Sequence, residues 1–227
     1  MAVEISVVLP CRDEEENVGI CVQKAFAAIK ALKMEGEVIV VDNGSIDFSA
    51  RVAKKMGARI IHEKSKGYGA ACLAGFSDAK GKIVVVSDAD NSYDLGEMPV
   101  LVKALKNCDL VVGSRFSGKI KKGAMPALHK YVGNPFLTKT FNILFGTKLT
   151  DTHSGFRAMH KKGLDALALS EKKFNLTLEM LCRAAEKKFL IKEVPISYGE
   201  RKGFSKLNSF RHGFGHLCFM LRERLGF

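Results

Sequence analysis

Two carboxylates, Asp88 and Asp90, close a run of β-branched residues in the string VVVSDADNSYD, Val84 to Asp94. Like charges this close repel unless a cation sits between them. Along an extended strand end, alternate residues share a side. The pair therefore presents oxygen ligands suited to magnesium or manganese, ions that keep bound water and recruit substrate phosphates. A strand-ending turn rich in Asp, Asn and Ser has the same composition without any ion, so Asp-x-Asp does not decide the matter alone.

Other polar residues stand at similar places. LPCRDEEENV sets Pro10, Arg12 and Glu14 at the end of an apolar run. VVDNGSID sets Asp42 and Asn43 at the end of another, with Ser45 and Asp47 able to cap a following helix. EKSKGYGAA opens a helical pattern with glycines and places Lys66 before them, an arrangement suited to anions. VVGSRF ends a further run at Arg115. Each has an alternative in turn or capping chemistry.

The elements that must position these residues alternate. EISVVLP, EVIVVD, ARIIH, KIVVVSD and DLVVGSR read as strands. Helical patterns run from Val18 through Val22, Phe26, Ile29 and Leu32, from about Phe48 to Met56, and over GAACLAGFSDA. Continuous apolar strands separated by helices indicate an α/β domain with a buried, mainly parallel sheet and helices on both faces. Ligands gather at the carboxyl ends of such strands, where the polar residues cluster.

The 227 residues suit one domain with a short extension or two small ones. Lys and Arg number 36 against 24 Asp and Glu, a net charge of +12, which favours phosphates, nucleic acid or an anionic membrane as partners. The six cysteines form no CxxC pair, which argues against a zinc site or disulfide framework and for a reducing, cytoplasmic setting. MAVEISVVLP reads as a strand rather than a leader, and no apolar run has the length of a membrane span. From Phe116 to Thr150 six lysines and no carboxylate interleave with apolar residues. That pattern suits an interfacial segment or a helix with a solvated lysine face. The tail repeats the ambiguity: Phe210, Phe214, Leu217, Leu221 and Leu225 follow helical spacing, flanked by Arg211, Arg222 and Arg224.

The ordered set VVLPCRDEEENV, IVVVDNGSID, KGYGAA, VVVSDADNSYD and VVGSRF resembles the nucleotide-sugar half of family 2 glycosyltransferases with the GT-A (Rossmann-like) fold. LTDTHSGFRAM and EVPISYGERKGFSKL narrow the resemblance to the polyprenyl- and dolichyl-phosphate hexosyltransferase branch, which includes dolichyl-phosphate mannose synthase. The resemblance implies a domain over 1–206, with a nucleotide-sugar half to 115 and an acceptor half beyond, followed by an amphipathic helix over 207–227. It implies that Pro10, Arg12 and Glu14 border the base, that Asp42 holds base or ribose, and that Lys66 joins the donor site. Asp88, Ala89 and Asp90 would meet the donor diphosphate, with Asp88, Asp90 and Ser92 around a divalent cation, Mg2+ or Mn2+. Arg115 would face the acceptor phosphate, with His129 and Lys130 beside it. Arg201 and Lys206 would close over the phosphates, making Asp90, Arg115 and Arg201 the catalytic group. Asp151 and His153 also follow the family pattern, and Glu179 is either a site residue or a structural one.

The implied reaction is inverting transfer of a hexose from a nucleoside-diphosphate sugar, of the GDP-mannose or UDP-glucose/GlcNAc type, to a polyprenyl or dolichyl phosphate. It would run at the cytoplasmic face of an anionic membrane, with direct contact or a membrane-anchoring partner protein. Arg12 stands where the family often has an aromatic, and Ser92 where mannose synthases often have Gln, which leaves the donor open. Two other readings compete: a soluble family 2 enzyme acting on a glycan or protein hydroxyl, which would need a general base near Asp151, and a basic nucleic-acid-binding protein, for which no binding motif is visible.

Overall fold

The computed structural model describes residues 2–200 and 209–226. Seven strands form one sheet: β1 (Ile5–Cys11), β2 (Gly36–Asp42), β3 (Arg59–His62), β4 (Ile83–Val86), β5 (Leu110–Ile120), β6 (Arg157–His160) and β7 (Ile191–Tyr198), in the spatial order β3-β2-β1-β4-β6-β5-β7. All pairings are parallel except those of β6, which runs antiparallel to β4 and β5. The carboxyl ends of six strands and the amino end of β6 thus share one edge.

Strand alternation sends the two sides of each strand into separate cores. Val7, Leu9, Val38, Val40, Val85 and Val111 pack with helices α1 (Val18–Ala31) and α4 (Met98–Ala104). Val8, Ile39, Val41, Val84, Val86, Leu110 and Val112 pack with α3 (Tyr68–Asp78), α5 (Asn134–Phe145) and α7 (Leu176–Glu186). Helices therefore cover both faces, as expected from continuous apolar strands. Two short helices, α2 (Ser49–Lys55) and α6 (Lys161–Ala166), complete the crossovers, and α8 (Ser209–Leu225) packs on α5 and α7. Four of the six thiols, Cys11, Cys21, Cys72 and Cys182, are buried and all six are free.

The glycines that open α3 do not leave its amino end open to an anion. The Ala70 amide donates to the Lys172 carbonyl at 3.0 Å, and a Cβ on Gly67 or Gly69 would strike the backbone of residues 171–173. Glu179 fastens that segment: its carboxylate accepts from the Ser170 amide and hydroxyl and from the Glu171 amide at 2.8–3.1 Å. Glu179 is thus structural, and the glycines serve close chain approach.

Gly67 has φ of +137° as well as this contact. Gly67→Ala should lower stability by about 1–3 kcal/mol, read as a lower midpoint in urea. An unchanged midpoint would show that the 171–173 segment yields freely.

Candidate active site

Two loops at the shared edge are stitched together. After β1, the Asp13 amide donates to the Ser45 hydroxyl (3.0 Å), Glu14 to Ser49 (2.7 Å) and Glu15 to the Asp47 carboxylate (3.1 Å). In return, Ile46 donates to Asp13 and Phe48 to Glu15. Ser45 and Asp47 therefore bind the neighbouring loop as well as their own turn. Glu14 is buried and accepts from the Asn17 side chain at 3.1 Å, while Arg12 stands half-exposed near Asp13. Asp42, also buried, accepts from the Ser45 amide and pairs with His62 Nδ1, each at 3.0 Å. Asn43 carries the next loop, donating to the Glu63 and Ser65 carbonyls and accepting from the Gly67 amide. That loop brings exposed Lys66 to the same edge. Pro10, Arg12, Glu14, Asp42 and Lys66 thus lie at one end of the sheet edge.

Asp88 and Asp90 follow β4 at the middle of the edge. Both the turn and the paired acids are present: Asp90 Oδ1 accepts from the Ser92 amide at 3.0 Å and its hydroxyl at 2.6 Å, across Asn91 in the left-handed region. Ser92 is fully buried, and its carbonyl accepts from the Gly199 amide at the end of β7. Ser92, expected as a metal ligand, has its hydroxyl hydrogen engaged by Asp90 Oδ1 beside the acid pair. Its hydroxyl orients Asp90 from behind, a supporting role common around metal-binding carboxylates. Asp88, partly exposed, lies against Gly155, where a Cβ would come within 3.1 Å of its Oδ1. The oxygen donors fit a hard divalent ion that takes its remaining ligands from water and phosphate. Among the described residues no third His, Cys, Asp or Glu completes a protein-only cage.

Beyond the acids stands a buried polar wall. Arg115 clasps Asp151 through Nε (2.7 Å) and Nη2 (2.8 Å), and its own amide donates to the same carboxylate at 3.0 Å. The guanidinium lies 5.2 Å from the Tyr198 ring centre, and Tyr198 meets Tyr93 edge-on at 5.1 Å. The Tyr93 phenol accepts from the Gly155 amide at 2.9 Å. Arg115, expected to face an acceptor, is only 7% exposed and has Nε and Nη2 engaged by Asp151. Burial alone would raise the Asp151 carboxyl, but the charge and hydrogen bonds of Arg115 hold it below its usual value. His153 is pushed down to about 3 by burial and by His216, so its imidazole is neutral near pH 7. Its Nδ1 lies 2.9 Å from the Thr152 hydroxyl.

The sequence reading missed three contributors. Arg157, in β6, is 2% exposed and donates to the carbonyls of Thr152, Ser154 and Thr177, fixing the loop that carries Gly155. Tyr93 and Tyr198 were passed over as well. A large cation in a four-residue strand and two aromatics near carboxylates carry no period that would single them out. Gly199 donates to the Ser92 carbonyl at 2.8 Å, which ties the end of β7 to the acid loop. Arg201 and Lys206 lie outside the described residues. His129 and Lys130 fall in the π-helical turn His129–Gly133 before α5, partly exposed.

Removing one partner of a buried ion pair leaves the other uncompensated, at a cost of about 3–5 kcal/mol. Arg115→Met should destabilise by that order at pH 7. The depressed Asp151 carboxyl adds stability above its unfolded pKa, and this is lost as pH falls through its lower folded value. The gap between Arg115→Met and the parent should therefore narrow in acid. A gap independent of pH in urea titrations would contradict the pairing.

Residues 6–168 match the family model described as glycosyl transferase family 2. A low-salt glycan biosynthesis hexosyltransferase, Agl6, of Haloferax volcanii is 37% identical over 229 residues, covering 100% of this chain and 55% of that protein. A dolichyl-phosphate hexose transferase of the same organism is 34% identical, covering 92% of this chain and 89% of the relative. A dolichol-phosphate mannosyltransferase of Pyrococcus furiosus is 30% identical over 90% of this chain and 59% of its own length. The chain thus spans little more than half of two of these relatives. Glucosyl-3-phosphoglycerate synthase of Mycobacterium tuberculosis, solved with Mn2+, UDP and glucosyl-3-phosphoglycerate, shares the fold with a TM-score of 0.73 at 22% identity, covering 99% of this chain and 80% of that one. With the family model covering most of the chain and relatives above 30% identity along nearly its whole length, the chain belongs to glycosyl transferase family 2 and is a glycosyltransferase with the GT-A fold.

Proposed function

We propose that this chain transfers a hexose from a nucleoside-diphosphate sugar to a polyprenyl phosphate of the dolichyl type at a membrane surface. The observation that carries the reading is the edge itself. Asp42 and the stitched loops stand at one end, Asp88 and Asp90 at the middle, and the buried wall with the lysine-rich half beyond. The nucleoside lies against Pro10, Arg12, Glu14 and Asp42, with Lys66 near the phosphates. Asp88 and Asp90 would hold a divalent cation, Mg2+ or Mn2+, which would supply positive charge to the leaving diphosphate. Ser92 keeps Asp90 aimed at it. Arg201 and Lys206 follow Gly199 in sequence, and add charge to the same phosphates. The relatives named for dolichyl-phosphate transfer support the acceptor class, and the fold neighbour solved with UDP and Mn2+ supports the donor chemistry.

The acceptor phosphate oxygen attacks the anomeric carbon while the nucleoside diphosphate leaves from the opposite face, inverting the configuration. A phosphate is already ionised near neutral pH and needs positioning rather than a base. A hydroxyl acceptor would require a base near Asp151, and Asp151 itself is fully buried and clasped by Arg115. That observation favours the phosphate over the hydroxyl. Arg115 then acts as a positioning residue, and the acceptor's charge is met by the acceptor half, through His129, Lys130 and the exposed Lys119, Lys121 and Lys122.

Membrane contact rests on two exposed faces. Leu128, Tyr131, Val132, Phe136 and Ile143 are exposed around α5, among lysines. Among the described side chains of α8, Phe219 and Met220 are buried, while Phe214, Leu221 and Leu225 of the apolar stripe remain exposed, 71%, 36% and 64% respectively. Among the described residues no helix is long and apolar enough to cross a membrane. The exposed faces suit peripheral attachment to a membrane surface.

Purified chain, polyprenyl phosphate and a panel of GDP- and UDP-sugars should give transfer with manganese or magnesium and none in chelator. Asp90→Asn should reduce the rate about a hundredfold or more; full activity of that variant in chelator would remove the metal-site reading. Each basic residue near an anionic surface is worth about 1 kcal/mol. Binding to anionic vesicles should therefore fall with salt, and fall further when Phe214 and Leu221 are both changed to Ser. Unaltered binding by the folded double variant would leave anchoring to the α5 face or to a partner protein.

A further inference from the structure

His62 belongs to no motif used above. It ends β3, the edge strand of the sheet, in register with Asp42 at the end of β2. Its side chain is 71% exposed, yet its Nδ1 lies 3.0 Å from Asp42 Oδ2. A carboxylate oxygen only accepts, so Nδ1 carries the hydrogen and Nε2 is the outward nitrogen. The other oxygen of Asp42 takes the Ser45 amide at 3.0 Å, and the Asp42 carbonyl takes the Glu63 amide at 2.9 Å. Asp42 is thus gripped on both oxygens and on its backbone. One grip, the Ser45 amide, belongs to the rigid pair of loops; the other comes from a side chain standing almost in solvent.

We infer that His62 is a positioning residue for nucleoside recognition, holding the Asp42 carboxylate so that its remaining lone pairs meet a ring N–H or ribose O–H of the donor nucleotide. The inference rests on the reading of Asp42 as a nucleoside contact. An exposed imidazole at the end of an edge strand adds little to the core, so a local effect on ligand binding is separable from folding. A correctly aimed acceptor binds its donor more tightly because reorientation is not required at the moment of binding. The effect belongs to donor affinity and not to the displacement step, since the anomeric carbon lies at the other end of the nucleotide sugar.

The test compares the parent with His62→Leu, which removes the N–H, and His62→Asn, whose Nδ2 replaces Nδ1. Calorimetric Kd for UDP and GDP with Mn2+ is measured beside thermal midpoint, donor KM and kcat. His62→Leu should raise Kd for the bound nucleotide and donor KM about tenfold. Its kcat at saturating donor and its midpoint should stay unchanged, and His62→Asn should restore most of the affinity. Parental Kd in His62→Leu would overturn the inference alone, as would a fall in kcat with unchanged KM or an Asn variant as weak as the Leu variant. A parent that binds neither nucleotide would overturn both this inference and the donor-site reading beneath it.

Discussion

The buried pair of Arg115 and Asp151 is the constraint on which the site depends. Two ions out of water are stable only when each is satisfied by the other and by further hydrogen bonds. Asp151 meets that condition with three donors from Arg115, and with its own amide bonded to Glu193 at 2.8 Å. Arg115 in turn backs Tyr198, the amide of Gly199 next to it bonds the Ser92 carbonyl, and Ser92 holds Asp90. The carboxylate proposed to hold the cation is therefore the last member of a chain of contacts that starts in the sheet. Rigidity of this kind is what preorganised charge stabilisation requires.

The antiparallel strand β6 makes the arrangement possible. Because it enters the sheet at the edge where the other strands end, its approach loop, Asp151 to Phe156, lies among the acids rather than on the far side. Arg157 locks that loop by bonding three carbonyls. Gly155 then passes Asp88 with no side chain of its own. The loop after β4 and the loop before β6 thus meet through backbone geometry, with Tyr93 joining them by its bond to the Gly155 amide.

Much of this was legible in the sequence. The first five strands could be read because each is a continuous apolar run, and parallel order follows from the helices between them. The acids at strand ends followed from the same logic. What escaped depends on contacts distant in sequence. Arg115 looks like a free cation until Asp151, 36 residues on, is placed against it. Gly67 and Gly69 look like an anion seat until residues 171–173, roughly a hundred positions later, fill it. Ser92 looks like a free turn residue until Gly199, roughly a hundred positions later, is placed against its carbonyl. The terminal stripe was readable as helical, but spacing alone could not tell that Phe219 and Met220 would be buried and Phe214 left in solvent.

The central claim is that Asp88 and Asp90 hold a divalent cation that carries the donor's diphosphate. Crystals grown with MnCl2 and UDP or GDP would test it through the anomalous signal of manganese. The account predicts one strong peak within coordination distance of carboxylate oxygens from both Asp88 and Asp90, joined to the diphosphate of the nucleotide. Nucleotide bound at the strand ends with no manganese between these acids, or manganese held elsewhere, would contradict it.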